Sequence, residues 1–294
     1  MEEIVYLNGS LVPRSRACVP VYDHGFLYGY ALFETVRAYH GRLFRLERHL
    51  ERLRGSARSI GLSPRLADYD LAGACEAALK ANRLEDARLR LTVTRGETEH
   101  YPGVFGEGVP GVVVTARPYQ PPPEANFQKG FTAVISRYKR LSRSPLAGVK
   151  SSNYLLNVLA RMEAEAAGGD EALLPDESGH LTEGSISNLF FVRQGGLVTP
   201  PLTSGNLPGV TREIILKLAG KLRIKVLEEN VSFTGLGDFT EAFLTNSLIE
   251  VMPLVRVRSE DGRVATLGEG RPGEVTGSLR AAYRRLVEAE TGRG

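Results

Sequence analysis

Tryptophan is absent from the 294 residues, and cysteine and methionine are scarce, with two and three copies. Cys18 and Cys75 stand far apart, which excludes a disulfide framework, offers no metal-ligand spacing and suits a reducing compartment. No apolar run approaches the length of a membrane span. The opening MEEIVYLNGS is acidic and turn-like, unlike a signal peptide. Net charge is only +3 at pH 7, too small to argue for nucleic acid. Internal repeats and low-complexity tracts are missing as well. The expected setting is cytoplasmic, with a small-molecule partner and no nucleic acid, membrane or metal.

What is present is ordinary for a soluble globular chain, 42% apolar and 24% charged, and its length suits two modest domains. Ile4 to Leu7, a turn at Asn8-Gly9, and Leu11-Val12 read as a hairpin. Phe33, Thr35 and Arg37 alternate on one side of a strand with Val36 on the other, and Gly41 turns the chain into Leu43-Phe44. Leu46, Leu50, Leu53 and Ala57 mark an amphipathic helix from Leu46 to Ile60, whose Arg and His residues read mostly as a solvated face. Asp68 to Asn82 reads as a further helix, and Arg88 to Thr94 and Val112 to Thr115 as strands. Between them, Glu97 to Gly111 is rich in Gly, Pro and Glu and reads as a loop near a pocket. The prolines of PYQPPPEA give a semi-rigid linker. They divide the chain into residues 1–118, a linker 119–129, and residues 130–294.

Lys150 follows a strand from Phe131 to Ser136 and a loop containing Pro145 and Gly148. Ser151 to Asn153 are expected to cap a helix from Tyr154 to Ala167, whose Leu155, Leu156, Leu159 and Met162 recur at helical spacing. Gly168-Gly169 stop that helix. Glu171 to Leu174 reads as a strand and Glu177-Ser178-Gly179 as its turn, with Glu183 at a hairpin tip before a strand from Ser187 to Val192. An amine fixed at a loop mouth can form a Schiff base, and a carboxylate opposite can keep a pyridine nitrogen protonated. Taken singly, a solvated lysine and a turn glutamate fit the same spacing. Gly209 allows a tight turn, and Thr211 could cap a helix from Arg212 to Lys221. The N–H groups at that helix start suit a phosphate, or an ordinary cap. Ala242 to Thr245 is a strand leading into a turn at Thr245-Asn246-Ser247. Ser259 to Gly273 is a Gly-rich polar loop, and Glu274 to Glu290 a closing amphipathic helix.

GVKSSNYLLNVLARMEA followed by EGSISNLFF resembles the paired signature of the class IV, or fold-type IV, pyridoxal-phosphate enzymes. That group holds branched-chain aminotransferases, D-amino-acid aminotransferases and 4-amino-4-deoxychorismate lyases. The likeness runs from about Tyr6 to about Val257 and includes HLERL and PGVTR. It implies an α/β (α+β) fold with a small N-terminal α/β domain and a larger C-terminal domain, which has a barrel-like sheet and carries the cofactor lysine. It implies pyridoxal 5'-phosphate as cofactor and a homodimer as assembly. By the same resemblance, Lys150 carries the cofactor and Glu183 holds its ring nitrogen protonated. Arg52, the N–H of Val210, Thr211 and Ser247 hold its phosphate, and Tyr154 points its phenol at the ring oxygen. Arg90 faces a substrate carboxylate, although an ordinary exposed strand arginine is nearly as good a reading. Tyr28, Phe33, Arg37, Asn246 and Leu248 complete the substrate side. His49 reads as structural, and His100 is discounted as a carboxylate trap because ETEHYPG lacks the accompanying arginine.

SPLAGVK resembles the PxLAGxK run of the lyases, and TNSLIEVMPL their TNxL turn. Thr35 supplies a hydroxyl where branched-chain aminotransferases read FEG, and could assist proton transfer at a leaving group. DHGFLYG, FETVRAY and KSSNYLLNVLA also resemble small branched-chain aminotransferases. The expectation is a 4-amino-4-deoxychorismate lyase of folate biosynthesis, releasing 4-aminobenzoate and pyruvate through a Lys150 Schiff base and a quinonoid. The alternative is a class IV aminotransferase acting on branched-chain L-amino acids or D-amino acids with 2-oxoglutarate. Readings from other classes are a cofactor-binding protein without turnover, or a basic-helix module using RLERHLERLRGSAR, which would bind anionic polymers in a salt-sensitive way.

Overall fold

The computed structural model describes residues 2–62, 66, 68–97 and 109–292. The chain divides into Met1–Gln120 with Val149–Asn153 and Val287–Gly294, and Pro121–Gly148 with Tyr154–Leu286. Most of the loop expected from Glu97 to Gly111, His100 included, lies outside the described residues.

In the first unit, β1 (Ile4–Leu7) and β2 (Ser10–Pro13) form the expected hairpin, with positive φ at Asn8 and Gly9 as a two-residue turn demands. After the short helix α1 (His24–Tyr28) come β3 (Ala31–Tyr39), β4 (Arg42–Leu43), and the helices α2 (Leu46–Ser59) and α3 (Leu71–Ala81). Strands β5 (Ala87–Thr94) and β6 (Val112–Pro118) complete a six-stranded sheet of order β2-β1-β6-β5-β3-β4. Strand alternation sorts its faces. Leu32, Val36, Leu89, Leu91, Val93 and Val114 meet Leu50 and Leu53 of α2 and Leu71 and Ala78 of α3 in one core. Phe33, Thr35 and Arg37 take the other face, as the sequence pattern implies. The chain returns to this unit at residues 149–153, which run beside the start of β3. Phe33 donates its N–H to the Lys150 carbonyl at 3.0 Å, and Ser152 donates to that of Ala31 at 2.8 Å. Lys150, counted above with the C-terminal domain, is therefore tied by backbone bonds to β3.

The second unit opens with α4 (Glu124–Lys129), a helix inside what reads as linker, because the prolines end at its first turn, where proline is tolerated. The strands β7 (Phe131–Ile135), β8 (Glu171–Pro175), β9 (His180–Gly184), β10 (Asn188–Arg193) and β11 (Gly196–Thr199) follow, with α5 (Leu155–Ala166) between β7 and β8. Helix α6 (Val210–Lys221) precedes β12 (Val226–Glu228), β13 (Val231–Ser232), β14 (Glu241–Asn246), β15 (Glu250–Arg258) and β16 (Val264–Thr266), and α7 (Glu274–Thr291) ends the chain. The sheet has ten strands. Within it β10-β14-β15-β7-β8-β9 returns to β10 through the pair Asn188↔Glu183, closing a barrel. Leu173, Leu181, Leu189, Phe191, Leu244 and Met252 fill a core on this sheet.

Several local expectations change. Glu183 is not at a hairpin tip: the tip lies at residues 176–179, and β9 carries Glu183 back to the edge of β10. Ser151 to Asn153 do not cap α5, whose first residue follows an N-cap Tyr154 without a side-chain bond. The Asn153 amide is used instead on the Gly29 carbonyl at 3.0 Å. Leu155 and Met162 are exposed, and α5 buries Ala160 and Ala164 against Ala172 and Leu174. Thr211 lies inside the first turn of α6, which is capped at Gly209. The polar loop from Ser259 contains β16. Among the described residues no helix is long and apolar enough to cross a membrane, and no cluster of His, Cys, Asp and Glu could hold a metal.

Leu50, fully buried between α2 and the sheet, sets a test of this core. Leu50→Ala should lower the unfolding free energy by about 2–5 kcal/mol, read from the urea midpoint.

Candidate active site

In the first unit the backbone pairing of residues 149–153 with β3 puts Lys150 next to Phe33. The Lys150 ammonium lies 4.5 Å from the centroid of the Phe33 ring, and the Arg90 guanidinium 3.8 Å from the same centroid. Arg90 sits on β5 directly across from Thr35 and also donates from Nε to Thr92 Oγ1 at 3.2 Å. Lys150, Phe33, Thr35 and Arg90 are thus brought together on the side of the sheet away from its core. Arg37, two residues on, is buried. Its guanidinium stacks 4.7 Å from Tyr39 and 4.1 Å from Tyr119, and donates to the Ala38 carbonyl and to Asp86. Its Nη1 has no partner. Tyr28, at the end of α1, is half exposed and packs edge-on against His24 at 5.1 Å.

Arg52 is held on the opposite side of β3. Its Nε and Nη2 donate to Oε1 and Oε2 of Glu34 at 2.8 and 2.6 Å, and His49 Nδ1 lies 2.8 Å from Oε2. Position i, i+3 on α2 aligns His49 with Arg52. The Arg52 charge and the bonds from His49 and Arg52 outweigh desolvation and hold Glu34 at about 2. Burial pushes the His49 pKa down. Glu34 was passed over in the sequence, although it is the glutamate of the FEG-like run, because an acid between Phe33 and Thr35 looks like any charged strand residue.

In the second unit Glu183 is buried at the closure of the barrel. Arg140 Nη2 lies 2.6 Å from its Oε1, and the Leu207 N–H donates to its Oε2 at 2.8 Å. Asn188, its cross-strand partner, donates to the Leu207 carbonyl at 2.8 Å. A Cβ on Gly209 would come within 2.0 Å of Asn188 Oδ1, so glycine is required there by close approach. With Gly209 as N-cap and no side-chain cap, the first-turn N–H groups of α6, from Val210 and Thr211, meet no capping side chain. Arg140, like Glu34, was missed from the sequence, since its partner is remote in the chain.

The segment between β9 and β10 is saturated with bonds. Glu171, itself buried, accepts from Ser185 N–H and Oγ and from Ser187 Oγ. The Ser185 carbonyl accepts from Tyr154 Oη at 3.0 Å and Asn157 Nδ2 at 2.7 Å. Tyr154 therefore spends its hydroxyl proton on the protein. Asn246 Nδ2 donates to the Ile186 carbonyl, while its Oδ1 accepts from Leu248 and Ile249 N–H. Asn246 thus shapes the turn that presents Ser247, and the Leu248 N–H is committed to that turn.

The sequence pattern of the family described as Amino-transferase class IV matches residues 31–257. The chain belongs to this family. It is similar to the branched-chain-amino-acid aminotransferase of Salmonella typhimurium, 34% identical over 300 residues that span 98% of this chain and 94% of the relative. It is also similar to the D-alanine aminotransferase of Bacillus licheniformis, at 33% identity over 98% of each chain. Among solved structures, a T.th. branched-chain amino acid aminotransferase with pyridoxamine 5'-phosphate superimposes with a TM-score of 0.89 at 30% identity, covering 100% of this chain and 96% of that one. This class IV aminotransferase family member is a pyridoxal-phosphate-dependent enzyme with the expected mixed α/β fold and barrel-like sheet. Each unit by itself offers groups that suit the cofactor: in the first a lysine beside an aromatic wall and a forked arginine, in the second an uncapped helix start and a buried carboxylate with both oxygens anchored.

Glu34 also sets a pH dependence. Its folded pKa lies below the unfolded value, so its stabilising contribution is present above about pH 4.5 and is lost as pH falls towards about 2. Unfolding measured across that window should show a steeper acid loss for the natural chain than for Glu34→Gln.

Proposed function

We propose that this enzyme transfers amino groups between branched-chain L-amino acids and 2-oxoglutarate. The observation that carries this reading is the grouping of Lys150, Phe33 and Arg90 on one sheet face: an amine, an apolar wall and a cation for a carboxylate. The named aminotransferases among the relatives favour it over the deoxychorismate lyase, which none of the reported likenesses supports specifically. Assembly as a homodimer and a cytoplasmic setting belong to the same reading. Exposed Val21, Tyr22, Phe26 and Tyr28 offer an apolar surface of the kind such an interface covers.

Pyridoxal phosphate, when bound, supplies a ring that draws negative charge from the substrate carbon. Lys150 would hold it, and its Nζ, neutral and released once the substrate amine takes its place, would take the proton from the carbon bearing the substrate nitrogen. Glu183, its oxygens fixed by Arg140 and Leu207, would hold a proton on the ring nitrogen. Arg52, the N–H groups of Val210 and Thr211, and the Ser247 hydroxyl take the phosphate. Tyr154 offers its phenolic oxygen to the ring substituent. Phe33 and Tyr28 would give apolar walls, Arg90 would receive a carboxylate, Thr35 would border the substrate, and Arg37 would support that side from its buried place between Tyr39 and Tyr119. Asn246 and Leu248 act through the turn they build.

Cofactor-loaded protein mixed separately with L-leucine, L-glutamate and D-alanine should be converted to the pyridoxamine form by the first two. Conversion by D-alanine alone would mark a D-aminotransferase. Release of 4-aminobenzoate and pyruvate from 4-amino-4-deoxychorismate, with no amino-acid conversion, would restore the lyase reading. Lys150→Ala should abolish turnover with the fold intact. Glu183→Gln should retain cofactor and lose rate on the order of a hundredfold.

A further inference from the structure

The carboxylate of Glu34 has no part in the roles above, yet it is fully buried and takes a side-on fork from Arg52. A single hydrogen bond leaves a guanidinium free to swing. Two parallel bonds, to Nε and Nη2, fix its plane. The fork turns the opposite edge, made of Nη1 and the second hydrogen of Nη2, away from the carboxylate. His49, neutral because burial lowers its pKa, gives its Nδ1–H to Oε2 without adding a competing charge. An arginine on a helix surface ordinarily loses much rotamer freedom when it captures an anion. One already locked from behind loses little, and preorganisation of this kind appears as affinity.

We propose that Glu34 is a positioning residue: it locks Arg52 so that the outer edge of the guanidinium is presented to the phosphate of the cofactor. This role rests on the assignment of Arg52 to that phosphate. A carboxylate that only neutralised Arg52 for packing would affect stability but would not distinguish a phosphorylated ligand from its phosphate-free form.

The test is a titration of the full chain, stripped of cofactor, with pyridoxal 5'-phosphate and with pyridoxal. The readout is the ratio of the two Kd values. Arg52→Ala should collapse the preference for the phosphorylated form; an unchanged ratio there would remove the phosphate assignment and the role of Glu34 with it. Glu34→Gln should reduce the preference about tenfold. Added to Arg52→Ala, it should change the ratio by less than about twofold, since the two act as one device. A collapse in Arg52→Ala with the natural ratio in Glu34→Gln would overturn the proposal, as would equal weakening of both ligands by Glu34→Gln. Should Glu34→Gln fail to fold, Glu34→Asp answers the question. It keeps the charge but draws the oxygens back by one methylene, so a reduced ratio supports the role and an unchanged ratio refutes it.

Discussion

A sheet that returns to its own first strand has no free edge at the return, and every polar group there must find a partner inside the fold. In the larger unit that return rests on one residue pair, Glu183 of β9 with Asn188 of β10. Three of the four residues between them are tied to three other elements. Glu171 of β8 binds Ser185 and Ser187, Tyr154 and Asn157 of the α5 region bind the Ser185 carbonyl, and Asn246 of β14 binds that of Ile186. Asn188 reaches Leu207, and Leu207 reaches back to Glu183. The start of α6, the β14–β15 turn and the Glu183 carboxylate are held in place by this one crossing. A Cβ on Gly184 would fall 2.1 Å from Ser187 Oγ, so the crossing is also sterically full.

A second regularity concerns charge. Burying an ionised carboxylate is costly unless its partners are fixed, and the three most buried acids described above each obey that condition. Glu34 is forked by Arg52, Glu171 is surrounded by hydroxyls and N–H groups, and Glu183 is pinned by a guanidinium and an amide. Such groups do not reorganise when charge appears nearby, which is what electrostatic catalysis requires of its surroundings.

The elements with strong period were legible from the residues. The 3.6-residue recurrence in α2 and the alternation in β3 and β5 gave those elements their faces, and Asn8-Gly9 gave its turn. What escaped was set by contacts distant in sequence. The stripe of α5 was misjudged because Ala160 and Ala164, with Leu156 beside them, face β8, while Leu155 and Met162 point outward. Strand β9 went unseen because Glu183 and Gly184 are poor strand formers alone and are held by neighbours on both sides. Glu34 and Arg140 were invisible for a related reason: nothing local marks a charged residue whose partner lies many positions away. The lysine and the glutamate were singled out through motif resemblance, and the choice among reactions was misweighted because Thr35 and the TNSL turn are short features on a scaffold that serves several activities.

The contact between Asn188 and Gly209 also bears on how such a chain can drift. The amide oxygen of Asn188 occupies the space that a side chain at 209 would need, so residue 209 cannot gain a Cβ while Asn188 keeps its place. A lineage that acquires an alanine at 209 must first carry a smaller or displaced residue at 188, and would then have lost the bond that steadies Leu207. The order of the two changes is thereby set.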